Sequence, residues 1–127
     1  MAGFRQPGRG RELITSTGDI TLTTNDLGKT YANVGAGASA VVVTLPAPSD
    51  CPPGSDILVL SCSTSNLTIQ SGTANTMIAL NTITGKTKVA LSTSAEQAGG
   101  AFLFTCVGSL WHAAHLTDET QTVTVSS

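Results

Sequence analysis

Short segments in which apolar and polar residues alternate run through most of the chain, and turn residues separate them at intervals of about ten residues. A period of two predicts strands that bury one face. Two segments, 40–45 and 56–61, are instead continuous apolar runs rich in Val, Ile and Leu, which predicts strands that are largely buried. The remaining predicted strands lie within 13–23, 31–34, 66–70, 77–83, 88–91, 101–107, 110–116 and 120–127.

This pattern predicts an all-β domain, either an antiparallel β-sandwich or a jelly-roll-like barrel. The segment 92–100 has some helix-capping character, but two glycines end it within about one turn, so it is predicted as a loop. Parallel neighbours require long crossover connections, which are usually helices, and the sequence offers none of adequate length. Segments 101–107 and 110–116, joined through Gly108-Ser109, are predicted to pair as a hairpin.

One hydrophobic core is predicted between packed sheets, built from the inward positions of the strongest strands. Its ten predicted members are Val41, Val43, Leu45, Ile57, Val59, Leu67, Ile69, Phe102, Phe104 and Trp111.

The composition supports a strand-rich fold and argues against nucleic acid and anionic membranes as partners. A chain of 127 residues is one domain by length, and only 11% of its residues are charged, against about 25% in an average domain. Ser and Thr fill much of the difference, and Thr suits a half-exposed strand. A net charge of −2 gives no electrostatic basis for binding nucleic acid or an anionic membrane, so neither is an expected partner.

The first twelve residues differ in composition from the rest of the chain and set the first of the predicted boundaries. Residues 1–12 are predicted to be a flexible basic arm, 13–119 the β-sandwich domain, and 120–127 a C-terminal strand or tail. The arm contains four glycine or proline residues and three arginines, with one aromatic residue. An aromatic side chain among arginines is typical of binding hot spots. The predicted partner-binding residues are Phe4, Arg5, Arg9 and Arg11.

The three cysteines, Cys51, Cys62 and Cys106, show neither CxxC spacing nor a zinc-type cluster with histidine. We expect buried, reduced thiols. The chain has no apolar run long enough to span a membrane, and its first residues do not resemble a secretory signal. These features predict synthesis in a reducing cytoplasm.

Residue types that support catalysis or metal binding are few, and none forms a recognisable motif. His112 and His115 are three apart, which on a strand sends them to opposite faces. Asp118-Glu119 lacks the surrounding spacing of a calcium loop, and the glycine-rich segment 34–38 departs from the dinucleotide-binding pattern and precedes a strand. We therefore expect no enzymatic activity, no cofactor and no metal.

Several segments together resemble small virion proteins of tailed bacteriophages. They are Asp26 to Asn33, the strand Val42 to Pro46 that ends in Thr-Leu-Pro, the turn Pro53-Gly54, Asn66 to Gln70, and Trp111. The matching pieces, with the apolar strand 57–60, fall within residues 19–112.

The resemblance implies a β-rich structural protein: a capsid decoration (cement) protein that binds the outside of a phage head and stabilises it. The implied partners are the major capsid protein and further copies of the chain, as a trimer by preference or a dimer, and the implied location is the virion surface. The alternative is a module of a tail fibre or baseplate, or a receptor-binding module that stacks Tyr31 and Trp111 on a sugar.

Overall fold

The computed structural model describes residues 10–37, 39–80, 82–93, 96–117 and 121–127, with the backbone alone at 82–84. The all-β prediction is confirmed, because the regular structure in these ranges is strands apart from two short 3₁₀ helices, Thr24–Asp26 and Pro48–Asp50. The strands are β1 Leu13–Thr15, β2 Ile20–Thr21, β3 Thr30–Ala32, β4 Val41–Thr44, β5 Asp56–Leu60, β6 Leu67–Gln70, β7 Met77–Ala79, β8 Thr82–Lys86, β9 Lys88–Leu91, β10 Ala101–Cys106, β11 Trp111–His115 and β12 Thr124–Ser126.

The described strands form two sheets. One has seven strands in the order β1-β3-β5-β10-β11-β7-β8, and the other has five in the order β12-β9-β6-β4-β2. The predicted hairpin is confirmed as β10 and β11, which pair antiparallel with Phe104 opposite Ala113. The C-terminal residues predicted as a strand or tail include β12, which pairs antiparallel with β9.

The prediction of an antiparallel arrangement is wrong, since both sheets are mixed. Among the strand pairs of the described residues, β1 with β3, β3 with β5, β11 with β7, β2 with β4, and β4 with β6 are parallel. From β1 to β6 the chain alternates between the two sheets. Each strand of one sheet therefore serves as the crossover between two parallel strands of the other, and no helix is needed.

Both sheets contribute to a single buried cluster, and all ten predicted core residues belong to it. Strand β10 shows the pattern most clearly, with Phe102, Phe104 and Cys106 buried and the residues between them half-buried. The stacked rings of Phe102 and Phe104 have centroids 5.7 Å apart. Alternation along the sequence thus identified the inward faces, because each strand exposes one side to the shared core.

The two ends of the seven-stranded sheet differ in character. At the end where β5 begins, Arg11 pairs with Asp56 at 2.7 Å, and Lys29 lies 3.5 Å from both Glu12 and Asp26. We call this the charged end. At the other end, where β5 and β11 finish and β10 begins, Val34 and Leu116 are 59% and 53% exposed. We call this the apolar end.

Candidate binding surfaces

Of the four predicted partner-binding residues of the arm, Arg11 lies within the described residues. Phe4, Arg5 and Arg9 lie outside the described residues. Arg11 is described, and its guanidinium donates a 2.7 Å hydrogen bond to a carboxylate oxygen of Asp56. Its other recorded acceptor is the main-chain oxygen of Lys29, at 3.0 Å. The last part of the predicted arm is therefore attached to the charged end of the domain.

Strand β1 is the terminal strand of its sheet and follows directly after Arg11 and Glu12. The oxygen of Glu12 accepts a hydrogen bond from the N–H of Thr30 on β3. Because main-chain groups alternate in direction along a strand, those of Leu13 and Thr15 face the opposite, outer side. Leu13 is 58% exposed. The arm thus joins the domain beside a sheet edge that can accept another strand.

At β2, a terminal strand of the five-stranded sheet, a side chain extends the contact with the neighbouring strand β4. The carboxylate of Asp19 accepts a 2.9 Å hydrogen bond from the main-chain N–H of Val42, one position before the two-residue contact between β2 and β4 begins at Val43. The bond therefore lies between β2 and β4 and extends the contact between these two strands by one position.

A notch lies beside β11, toward the edge of the seven-stranded sheet that is opposite β1. Strand β7 pairs with β11 only as far as Ala79 opposite Ala113, so the last two residues of β11 extend beyond it. At this point Leu80 has a φ of 53° and is 53% exposed. A left-handed backbone is uncommon for a large apolar residue, and such conformations cluster at functional sites.

A cavity of about 480 Å³ opens at the notch. Its apolar lining comes from Leu80, Ala113 and Val123, and its polar lining includes His115 and Gln121. Ligand pockets commonly enclose about 300–1,000 Å³ and combine apolar walls with a few polar groups. The cavity therefore has the size and the mixed lining of a site for a side chain or a small molecule.

Hydrogen bonds fix the polar wall of this cavity. The side-chain N–H of Gln121 donates to the main-chain oxygen of Glu96 at 2.6 Å, which turns the amide oxygen of Gln121 toward Thr117 and His115. That oxygen accepts from the Thr117 hydroxyl at 2.6 Å and lies 2.7 Å from Nε2 of His115. Nε2 of His115 also lies 2.7 Å from the Thr117 hydroxyl, so the three side chains form one hydrogen-bonded cluster.

A carboxylate lies next to the cavity as well. Oε1 of Glu96 accepts a 2.7 Å hydrogen bond from the N–H of Thr122, one residue after Gln121. Lysine and arginine are absent from the described residues that line the cavity. The carboxylate of Glu96 is thus held beside the cavity by the main chain of Thr122.

The two histidines lie on opposite faces of β11, as the sequence predicted. His112 is exposed, whereas the ring of His115 packs 5.0 Å from the buried ring of Phe102. Among the described residues, His, Cys, Asp and Glu do not gather in any group of three or more that could hold a metal ion. Asp118 and Glu119 lie outside the described residues.

The two aromatic residues considered for sugar stacking are both fully buried. The Tyr31 hydroxyl lies 2.8 Å from the hydroxyl of Ser16, and Trp111 donates to the main-chain oxygen of Pro46. Neither ring can stack on a ligand at the surface. The structural basis suggested for a carbohydrate-binding module is therefore wrong.

The expectation of buried thiols holds for Cys51 and Cys106 but not for Cys62, which is exposed. Cys62 is the second residue after the end of β5. The glycine-rich segment 34–38 leads into β4, as the sequence predicted, with Gly37 at a φ of 62° and Ala38 outside the described residues.

Sequence reasoning missed the exposed apolar residues of the notch and the apolar end. Leu80 and Leu116 each follow directly after a strand, and Val34 comes two residues after β3. The sequence analysis placed all three residues inside predicted strands, 31–34, 77–83 and 110–116, where an apolar residue is expected to be buried. Their exposure depends on where the neighbouring strand stops.

None of the described helices is long and apolar enough to cross a membrane. Comparison with known proteins finds no matching family model, curated protein or solved structure.

Proposed function

We propose that this chain is a non-enzymatic structural protein of a virion, a decoration protein that binds the outer surface of a phage head and stabilises it. In this proposal its two sheets pack as a sandwich, and its partners are the major capsid protein and further copies of itself. It is made in the host cytoplasm and ends on the virion surface.

The observation that carries the proposal is the attachment of the basic arm beside an accessible sheet edge. Arg11 is held by Asp56, and the next residues lead straight into β1, whose outer main-chain groups face away from the domain. A segment with Phe4, Arg5 and Arg9 therefore emerges next to a surface suited to strand addition. This combination provides a docking surface without any reactive group.

The single core that both sheets share also supports a structural role. Strands of both sheets share one buried cluster, so the domain can serve as a rigid body that reinforces a shell. The tail-module alternative loses its carbohydrate-stacking rationale, because Tyr31 and Trp111 are buried. A tail location without sugar binding is the remaining alternative.

Binding to particles tests the proposal. The purified full-length protein is mixed with heads of the same phage that were assembled without it, and with isolated tails, and each mixture is sedimented. We expect saturable binding to heads, at a fixed number of copies, and a higher temperature of head disruption. Binding to tails alone would favour the alternative, and binding to neither would overturn the proposal.

Variants that remove charge from the arm test its role in head binding, and variants that remove the same charge elsewhere are the matched control. Replacing Arg5 and Arg9 with Gln should weaken head binding, and added salt should weaken binding of the unaltered protein in the same direction. Replacing Lys86 and Lys88 with Gln removes the same charge from β8 and β9 and should have a much smaller effect. Equal losses in both double variants would mean that net charge, not the arm, governs attachment.

A further inference from the structure

We propose that the cavity at the notch receives the N-terminal arm of a second copy, with Phe4 in the cavity and an arm arginine paired with Glu96. This inference rests on the self-association included in the proposed function and identifies the surfaces that carry it.

The cavity offers what an aromatic side chain requires. Leu80, Ala113 and Val123 provide apolar contacts, and the exposed Leu116 lies just beyond the end of β11. Burying an aromatic ring together with exposed leucine removes apolar surface of both copies from water. The left-handed conformation of Leu80 holds its side chain at the surface of the unbound domain.

Charge complements shape at this position. The arm carries arginines, and the carboxylate of Glu96 accepts a hydrogen bond from the N–H of Thr122, while the main-chain oxygen of Glu96 accepts one from Gln121 of the cavity wall. An arginine can donate two hydrogen bonds to a carboxylate, which gives direction as well as attraction.

Reach favours an arm from another copy. Phe4 precedes Arg11 by seven residues, so a fully extended chain places it at most about 25 Å away. Strand β11 is four places from β1 in the sheet order, or about 19 Å across the sheet, and the notch lies about 10 Å further along the strands. The direct distance is thus about 22 Å before the chain follows the surface of the sheet. The arm of the same chain would have to be almost fully extended to reach the notch. The arm of a neighbouring copy can approach the notch directly.

Each copy then both gives an arm and accepts one through different surfaces. Such a contact closes into a ring when the rotation between copies permits it, which is compatible with a dimer or a trimer. An aromatic side chain buried at the centre of a contact commonly dominates the affinity, so Phe4 should be the main anchor of the arm.

Sedimentation velocity over a range of concentrations tests the contact from both sides. Phe4→Ala removes the anchor, and Leu80→Asn makes the notch polar with a residue that tolerates a positive φ. We expect each variant to raise the dissociation constant for self-association at least tenfold. Val107→Asn, at a valine that is 54% exposed just after β10, is the matched control and should leave it unchanged.

Mixing the two variants distinguishes an exchanged arm from other contacts. Phe4→Ala keeps an intact notch and Leu80→Asn keeps an intact arm, so the mixture should associate through one productive contact where each variant alone does not. A synthetic peptide of residues 1–11 should shift the NMR signals of His115 and Gln121 in protein that lacks residues 1–9.

The outcome is independent of particle binding, which separates this inference from the proposed function. Protein lacking residues 1–9 that still self-associates as tightly as the full chain would overturn the inference and leave the arm as a contact to the capsid alone. Loss of head binding with intact arm exchange would overturn the proposed function instead.

Discussion

The indole Nε1 of Trp111 donates a 2.9 Å hydrogen bond to the main-chain oxygen of Pro46. Trp111 begins β11 in the seven-stranded sheet, and Pro46 follows β4 of the five-stranded sheet, so the bond links the two. Because Trp111 is fully buried, its ring fills the core while its single polar group is paired.

Replacing Trp111 with Phe should destabilise the protein through this bond. The oxygen of Pro46 loses its donor, which costs about 1–3 kcal/mol when the group stays buried, and the smaller ring adds a packing loss. Urea unfolding followed by circular dichroism measures the change. A loss below about 0.5 kcal/mol would show that water replaces the indole at Pro46.

Two neighbouring residues of β10 should respond very differently to truncation. Phe104 is fully buried, so Phe104→Ala is expected to cost about 3–5 kcal/mol. Leu103 faces the other side and is half-buried, so Leu103→Ala should cost much less. Similar losses for both variants in urea unfolding would contradict the assigned inward face of β10.

Tyr31 gives a direct measure of core integrity at high pH, because it is the one tyrosine in the sequence. Burial raises the pKa of its phenol above the ordinary value of 10.0; the hydrogen bond with Ser16 acts in the opposite direction, and the charge of Asp19 adds to the increase. The neutral phenol is therefore favoured by folding. Its contribution to stability is complete below pH 10 and is lost as the pH rises through the folded pKa.

Absorbance of the phenolate against pH checks this expectation. The native protein should titrate above pH 10, and the protein in urea should titrate near 10. Ser16→Ala should raise the native midpoint further, since it removes the contact that lowers the pKa. Identical midpoints in native and unfolded protein would show that Tyr31 is accessible to water.

The cysteines should differ in reactivity according to burial. Cys62 is exposed and should react quickly with a thiol reagent in the native protein, whereas Cys51 and Cys106 should react only on unfolding. Burial raises the pKa of the Cys51 thiol, with smaller increases from Cys106 and Asp50, which further reduces its reactive thiolate. Three thiols should titrate in denaturant, and a count of one would reveal a disulfide.

The candidate surfaces could be predicted only in part. The sequence identified Arg11 as a member of a basic segment, but its bond to Asp56 joins residues 45 positions apart and depends on β1 and β5 lying near each other. The notch could not be predicted at all. It exists because β7 stops at Ala79 while β11 continues to His115, and strand ends are set by pairing between distant segments.

Alternating segments and the two continuous apolar runs determined the strands, and every second residue of each strand was assigned to the core, because side chains on a strand alternate sides whatever its neighbours are. The ten predicted core residues follow from that local rule. The order and direction of the strands were decided only by the tertiary structure. Strands β1 to β6 cross between the two sheets in turn, so parallel neighbours form without a helix. Main-chain hydrogen bonds allow both directions of pairing, and the choice depends on how the connected strands cover one shared core.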